Sequence, residues 1–154
     1  MAEQAPSPEI EVRLLRREDF DAVVRIDASV FGSNRPDYYE KRFSAALDAA
    51  DHMVISLVAE WDGRVVGFIM GELYLGEFGI PEATASVDTI GVDPEYQHHG
   101  VGRVLMEDFV RNARVAGVKK IYTRVLWNDL ALIRFFDSVG FVPGRMINLE
   151  LAVD

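Results

Sequence analysis

The sequence predicts an α/β (α+β) domain in which helices flank a central sheet, and three observations carry this prediction. The chain has 154 residues, 49% hydrophobic and 10% aromatic, enough to build one core without disulfides or metals. Its apolar spacing switches repeatedly between a period of two and a helical period, in the order β-α-α-β-β-β-α-β-α-β. Near the middle, Asp62-Gly63 joins two β-rich runs, a strong signal for a tight hairpin. Residues 1–8, with Pro6 and Pro8, read as a flexible tail, and residues 9–154 as a single domain without internal repeats.

The elements follow in order. Ile10, Val12 and Leu14 alternate within Glu9 to Leu15 and predict a first strand. Phe20, Val23, Val24, Ile26, Asp27 and Phe31 have mostly helical spacing that stops at Gly32-Ser33-Asn34, and a second helix is expected from about Asp37 to Ala50, after Pro36. Met53 to Trp61 and Val65 to Leu75 form the hairpin. Gly76 to Glu82, with Gly79 and Pro81, is a loop, and Ala83 to Val92 is a strand stopped by Asp93-Pro94. From Val101 to Gly117, Leu105, Met106, Phe109, Val110 and Ala113 cluster on one helical face. Lys119 to Trp127 reads as a strand and Asp129 to Val139 as a helix closed by Gly140. Arg145 to Val153 reads as a final strand in which Asn148 and Glu150 alternate with apolar neighbours.

Composition narrows the function. The net charge of −9 argues against broad nucleic-acid binding, which needs a concentrated basic surface, and suits a cationic substrate better. Without cysteine there is no disulfide framework, thiolate zinc site or cysteine nucleophile. Met1 to Pro8 lacks the basic end and apolar stretch of a secretory signal, and no apolar run is long enough to cross a bilayer. The expectation is a cytoplasmic protein without a membrane partner.

The chemistry is concentrated after the strand that ends at Val92. A strand that runs through a glycine-bearing turn into a helix presents backbone N–H groups at the positive end of the helix dipole. Gly100 and Gly102 lack a Cβ, so the backbone can approach a diphosphate, while Gln97, His98, His99 and Arg103 can reach its edges. Taken alone, the same glycines also describe an ordinary turn and helix start. A nucleoside-triphosphate loop would need Gly-Lys-Ser/Thr, whereas Gly102 precedes Arg103-Val104. The dinucleotide fingerprint would need three glycines in the first turn of a parallel unit, whereas this mid-chain turn follows a hairpin and has two. Two adjacent histidines in a turn, with no third ligand at typical spacing, do not predict a metal.

The stretch Val92-Asp93-Pro94-Glu95-Tyr96-Gln97-His98-His99-Gly100-Val101-Gly102-Arg103-Val104-Leu105-Met106 resembles the central motif of the GNAT superfamily of acyl-CoA-dependent N-acyltransferases. That motif is a strand ending in Val-x-Pro-x-Tyr, then Gln/Arg-x-x-Gly-x-Gly/Ala and a helix. Downstream, Asn128, the helix bearing Phe135-Phe136, and Gly140-Phe141 resemble the family's Asn, helix and Gly-Phe segment. The resemblance implies a mixed, mostly antiparallel sheet of about six to seven strands flanked by four helices and splayed between strands four and five. It implies acetyl-CoA as cosubstrate. Backbone amides from about His98 to Arg103, Val101 included, would hold the pyrophosphate, and Ile90, Gly91 and Val92 would pair with the pantetheine arm, which Asn128 would also contact. Trp127, Phe135 and Phe136 either line the acyl pocket or belong to the core. The acceptor would be an amine-bearing small molecule or a protein amino group, and a homodimer is compatible with this reading.

Acetylating an amine requires a base more than an acid. Deprotonating a lysine-like amine of pKa about 10.4 at pH 7 costs roughly 4–5 kcal/mol, whereas releasing a thiolate of pKa about 8.5 costs about 2 kcal/mol. Asp88 is the first candidate base, because it interrupts an apolar strand where relatives often carry an ionisable residue facing the acetyl site. By strict alternation it shares a face with Ser86, Ile90 and Val92, a parity that a bulge near Gly91 would break. Its other reading is a structural carboxylate paired with a neighbouring strand's cation such as Arg124. Glu72 is the second candidate base or a solvated strand residue. Where relatives carry a tyrosine acid, this chain has Phe136, which leaves thiolate protonation to Tyr122, Tyr96 or water. The same phenylalanine supports an alternative function, a non-catalytic module that senses acyl-CoA.

Overall fold

The computed structural model describes residues 9–48 and 54–154, which form two compact units divided after Thr123. The tail expected over residues 1–8 lies outside the described residues, as do the last residues of the second helix and Met53. In the first unit a five-stranded sheet has the order β1-β2-β3-β4-β5, with β1 Ile10–Leu14, β2 Val54–Trp61, β3 Arg64–Leu75, β4 Ala83–Val92 and β5 Lys120–Thr123. The first four strands are mutually antiparallel neighbours and β5 joins β4 in parallel, so the sheet is mixed. Asp62 and Gly63 both take positive φ, as the tight β2–β3 turn requires.

Helices α1 (Phe20–Phe31) and α2 (Pro36–Leu47) cover one face of the sheet. There Val23, Ile26, Tyr39 and Phe43 pack with Val58, Phe68 and Met70 in one buried cluster. Helix α3 (Val101–Val115) covers the other face with Leu105, Met106 and Phe109. A Cβ on Gly71 would lie 2.6 Å from the Phe109 ring, so the residue's smallness sets how closely α3 approaches β3.

Two strand expectations are corrected. The strand expected from Lys119 to Trp127 is only Lys120–Thr123, because its parallel ladder with β4 ends at Val87–Thr123. The strand expected over Arg145 to Val153 does not form, so the sheet has five strands among the described residues instead of six to seven. Alternation describes one face of a strand but does not supply a partner for its backbone, and Ile147, Leu149, Leu151 and Val153 stay exposed. The second unit, residues 124–154, holds α4 (Leu130–Ser138). Asp129 caps it by accepting the Leu132 N–H at 3.2 Å, and Gly140 follows with φ 103°.

The start of the first unit is pinned by Asp19, whose buried carboxylate accepts two bonds from Arg13 (2.8 and 2.9 Å) and the Arg16 N–H at 2.7 Å. Burial alone would raise its pKa, but the Arg13 and Arg16 bonds outweigh burial and hold it below the ordinary carboxylate value. Replacing Asp19 with Asn should cost about 2–3 kcal/mol, a fall of about 5–10 °C in melting temperature. Because the folded-state pKa is depressed, the carboxylate's contribution is present above about pH 4 and is lost in more acidic solution. The gap between wild-type and Asn melting curves should therefore close as pH falls.

Candidate active site

The segment after β4 is built from local bonds. The Asp93 N–H donates to the Val66 carbonyl at 2.8 Å, and its side chain accepts the Glu95 N–H at 3.0 Å, capping a short 3-10 turn over Pro94–Tyr96. Gln97 Nε2 donates to the Val92 carbonyl at 3.1 Å, tying the turn to the strand end. His98 takes φ 66°, an uncommon left-handed conformation for a residue with a side chain. His99 Nδ1 lies 2.7 Å from the Gln97 carbonyl, a bond that needs the proton on Nδ1. The rings of Tyr96 and His99 meet Trp61 edge-on at 5.3 and 5.6 Å, so β2 braces the turn.

Gly100 then opens α3 at φ 87°, in the left-handed region that glycine occupies without strain, and no side chain caps the helix there. A Cβ built on Gly100 would meet no atom within 4 Å, so the space before the helix end is open. An uncapped helix N-terminus led by a glycine suits a pyrophosphate, which would take the backbone amides from His98 through Val101 and Gly102 to Arg103.

The strand before this turn has an open edge. β4 pairs with β5 only over Thr84–Val87, and Asp88–Val92 has no strand neighbour on that side among the described residues. Because Asp93 N–H points to β3, the alternation of an antiparallel ladder turns Gly91 to β3 as well, and turns Ile90 and Val92 outward. Ile90 therefore presents both its peptide groups to the open edge and Val92 its N–H, since the Val92 carbonyl takes the Gln97 side chain, and an amide-bearing arm can add there as a strand would. Gly91 fits its place by lacking a Cβ, which would come within 2.7 Å of Phe68.

Asp88 occupies a β-bulge. Thr89 pairs with Met70 and Val87 with Gly71, leaving Asp88 as the extra residue. This corrects the strict alternation expected from sequence. Val92 pairs with Gly67, whose Cβ would point at Val101 and Leu105 of α3, so Ile90 and Val92 face α3. Asp88 is re-aimed to the opposite face together with Ser86, where it meets α2. The cation it pairs with is Arg42 of α2, at 2.7 Å, and not a cation of a neighbouring strand such as Arg124.

Arg42 reaches both candidate bases. One terminal nitrogen donates to Asp88 Oδ2 and the other to Glu72 Oε1 at 3.0 Å. Ser86 donates to Asp88 Oδ1 at 2.7 Å and Tyr74 to Glu72 Oε2 at 2.8 Å, so each carboxylate oxygen holds a donor. Burial would lower the Arg42 pKa, but its bonds to Asp88 and Glu72 outweigh burial and raise it, so the guanidinium stays charged. Burial, with the Glu72 bond, raises the Tyr74 phenol, which stays protonated at neutral pH. Tyr122 stands opposite Ser86 in the β4–β5 register, whereas Tyr96 is engaged with Trp61.

Arg42 and Tyr74 were not legible as site members. A signal for Arg42 existed: with Tyr39, Phe43 and Ala46 it occupies the i, i+3, i+4, i+7 stripe that α2 turns inward, where a cation requires partners.

In the second unit, Trp127 and Asn128 are exposed and Phe135 is half-buried. Phe136 is buried, with ring centroids 5.3 Å from Phe135 and 5.0 Å from Phe141. The position of the usual tyrosine is thus a packed aromatic. Among the described residues, no group of three His, Cys, Asp or Glu is arranged to hold a metal, and no helix is long and apolar enough to cross a membrane.

The sequence profile of the Acetyltransferase (GNAT) family matches residues 20–141. An N-alpha-acetyltransferase of Sulfurisphaera tokodaii is 25% identical over 152 residues, covering 95% of this chain and 88% of that protein. The ribosomal protein bS18-alanine N-acetyltransferase of Escherichia coli is 30% identical over 80 residues, 52% of this chain and 49% of that protein, so this match spans about half of the relative. Among solved structures, the aminoglycoside N-acetyltransferase AAC(6')-Iy in complex with CoA superposes with a TM-score of 0.80 at 14% identity, covering 96% of this chain and 98% of that one.

Proposed function

This chain belongs to the acetyltransferase (GNAT) family, and from that premise we propose that it transfers an acetyl group from acetyl-CoA to a primary amine of a small molecule or protein. The observation that carries this is the sequence of three features along one strand and its turn: the bulged Asp88, the open edge at Ile90 and Val92, and the uncapped helix at Gly100. The amides from His98 to Arg103 would bind the pyrophosphate, and Ile90 and Val92 the pantetheine amides, with Gly91 keeping the strand close-packed. Acetyl-CoA supplies the activated acyl group, a thioester. Asp88 takes the proton from the acceptor ammonium, directly or through a water, and the neutral nitrogen attacks the thioester carbon. Glu72 adds negative charge that favours a cationic acceptor, and Tyr122 or water passes the proton lost by the acetylated nitrogen to the departing sulfur, leaving the amide and the free thiol.

The relatives named above act on different amines, a ribosomal protein alanine in one case and aminoglycosides in another. The common chemistry is a primary amine, which is the level at which the acceptor is proposed. Release of free thiol from acetyl-CoA, assayed across peptide N-termini, alkylamines and aminoglycosides, is expected for at least one acceptor. Calorimetric CoA binding without turnover on any amine would favour the acyl-CoA sensor reading that Phe136 motivates. No CoA affinity at all would sink both.

A further inference from the structure

Arg42 is held in an arrangement that serves the two carboxylates better than it serves the arginine. Its side chain is 18% exposed, and those of Asp88 and Glu72 are 25% and 32% exposed. Both terminal nitrogens are paired, yet its Nε–H is buried without any hydrogen-bond partner. A buried orphan donor on a charged group weakens the hold of the site on that group. Tyr39 and Phe43, fully buried on either side of Arg42, fix α2 against the sheet. With α2 fixed, any release of the guanidinium has to come from its own side-chain torsions.

The charges give that departure a cause. Two carboxylates face one guanidinium, so the cluster is one positive charge short of balance. The reaction proposed above brings one, because the acceptor amine arrives as an ammonium and must reach Asp88 to lose its proton. While Arg42 holds Asp88 Oδ2, and Ser86 holds Oδ1, the carboxylate is engaged by internal donors.

We propose that Arg42 is an internal competitor that occupies, in the free protein, the cation place beside Asp88, so that a positively charged acceptor gains the base by displacing it. Resting on the proposed acetyl transfer to amines, this names the acceptor class as alkylammonium in preference to neutral arylamine. Glu72 retains Arg42 when Asp88 is released, which keeps the guanidinium beside the site instead of in solvent.

The test compares benzylamine, a cation at pH 7, with aniline, a neutral amine of nearly the same shape, each titrated by calorimetry onto the CoA-loaded protein. Arg42→Gln and Arg42→Met remove the internal competitor, the second while keeping an apolar stem in its place. Both variants should bind benzylammonium about tenfold more tightly than wild type, the worth of one charge-assisted hydrogen bond, and aniline within about twofold of wild type. A structural role alone predicts weaker binding of both amines. Unchanged or weaker benzylammonium binding in either folded variant would overturn the proposal.

The wild-type protein provides a test that does not depend on a variant folding. Arg42 side-chain NMR signals should move on adding benzylammonium and stay in place with aniline; immobile signals with both would also overturn it. Failure of the catalytic reading looks different: no thiol release with any amine, while benzylammonium still displaces Arg42.

Discussion

Asp88→Asn should lower acetyl transfer by about 10²–10³-fold while leaving CoA affinity within about twofold, because a positioned general base is worth that much and the substitution spares the cofactor surfaces. The asparagine keeps the size of the side chain and one oxygen for Arg42 or Ser86, so the α2–β4 contact loses charge but not its packing. Steady-state thiol release and calorimetric CoA titration separate the two effects. The same thiol-release assay is run across pH for wild type and variant. A variant with unchanged rate and unchanged profile would remove Asp88 from the mechanism and leave Glu72 as the carboxylate to test.

Gly100→Glu should reduce CoA affinity by at least about a hundredfold, since it brings a carboxylate to the helix end that would hold a pyrophosphate. The fold should survive. No atom lies within 4 Å of the added Cβ, and the left-handed φ of 87° costs a residue with a side chain about 1–2 kcal/mol, a melting shift of about 2–8 °C. Gly100→Asn is the control, because asparagine tolerates the left-handed region and adds no charge. It should lose much less affinity than the glutamate variant. Equal losses in the two variants would trace the effect to backbone strain, and a glutamate variant that binds CoA like wild type would contradict the pyrophosphate site.

The parts of this molecule written in local spacing were legible without coordinates. An apolar run stopped by Asp93-Pro94 marked β4 from Ala83 to Val92, and the apolar stripe of Leu105, Met106, Phe109 and Ala113 marked α3. Gly32, Gly63, Gly100 and Gly140 lie in the left-handed region at the turns and helix ends where the reading placed boundaries. These features depend on a residue and its near neighbours in the chain. The missing last strand shows the limit: Ile147, Leu149 and Leu151 have the right period, but a strand also needs a second backbone to bond with, and period carries no information about one.

The site divides along the same line. The candidate turn from Gln97 to Arg103 was legible as a glycine turn leading into a helix N-terminus, a pattern of contiguous backbone, and its reading as a cofactor turn came from the family resemblance. The surroundings of Asp88 were not legible. Its direction is set by a one-residue bulge against Met70 and Gly71, and its partner comes from α2, 46 positions away in the chain. A bulge inverts which face a side chain serves, and alternation within one strand cannot register it because the extra residue is defined only against the neighbouring strand. By itself, then, the sequence determined the element order up to the last helix, a candidate cofactor turn and the identity of the two candidate carboxylates. Only the tertiary structure decided that Asp88 and Glu72 share Arg42, because ion pairs between α2 and the sheet depend on the packing of Tyr39 and Phe43, which no local pattern encodes.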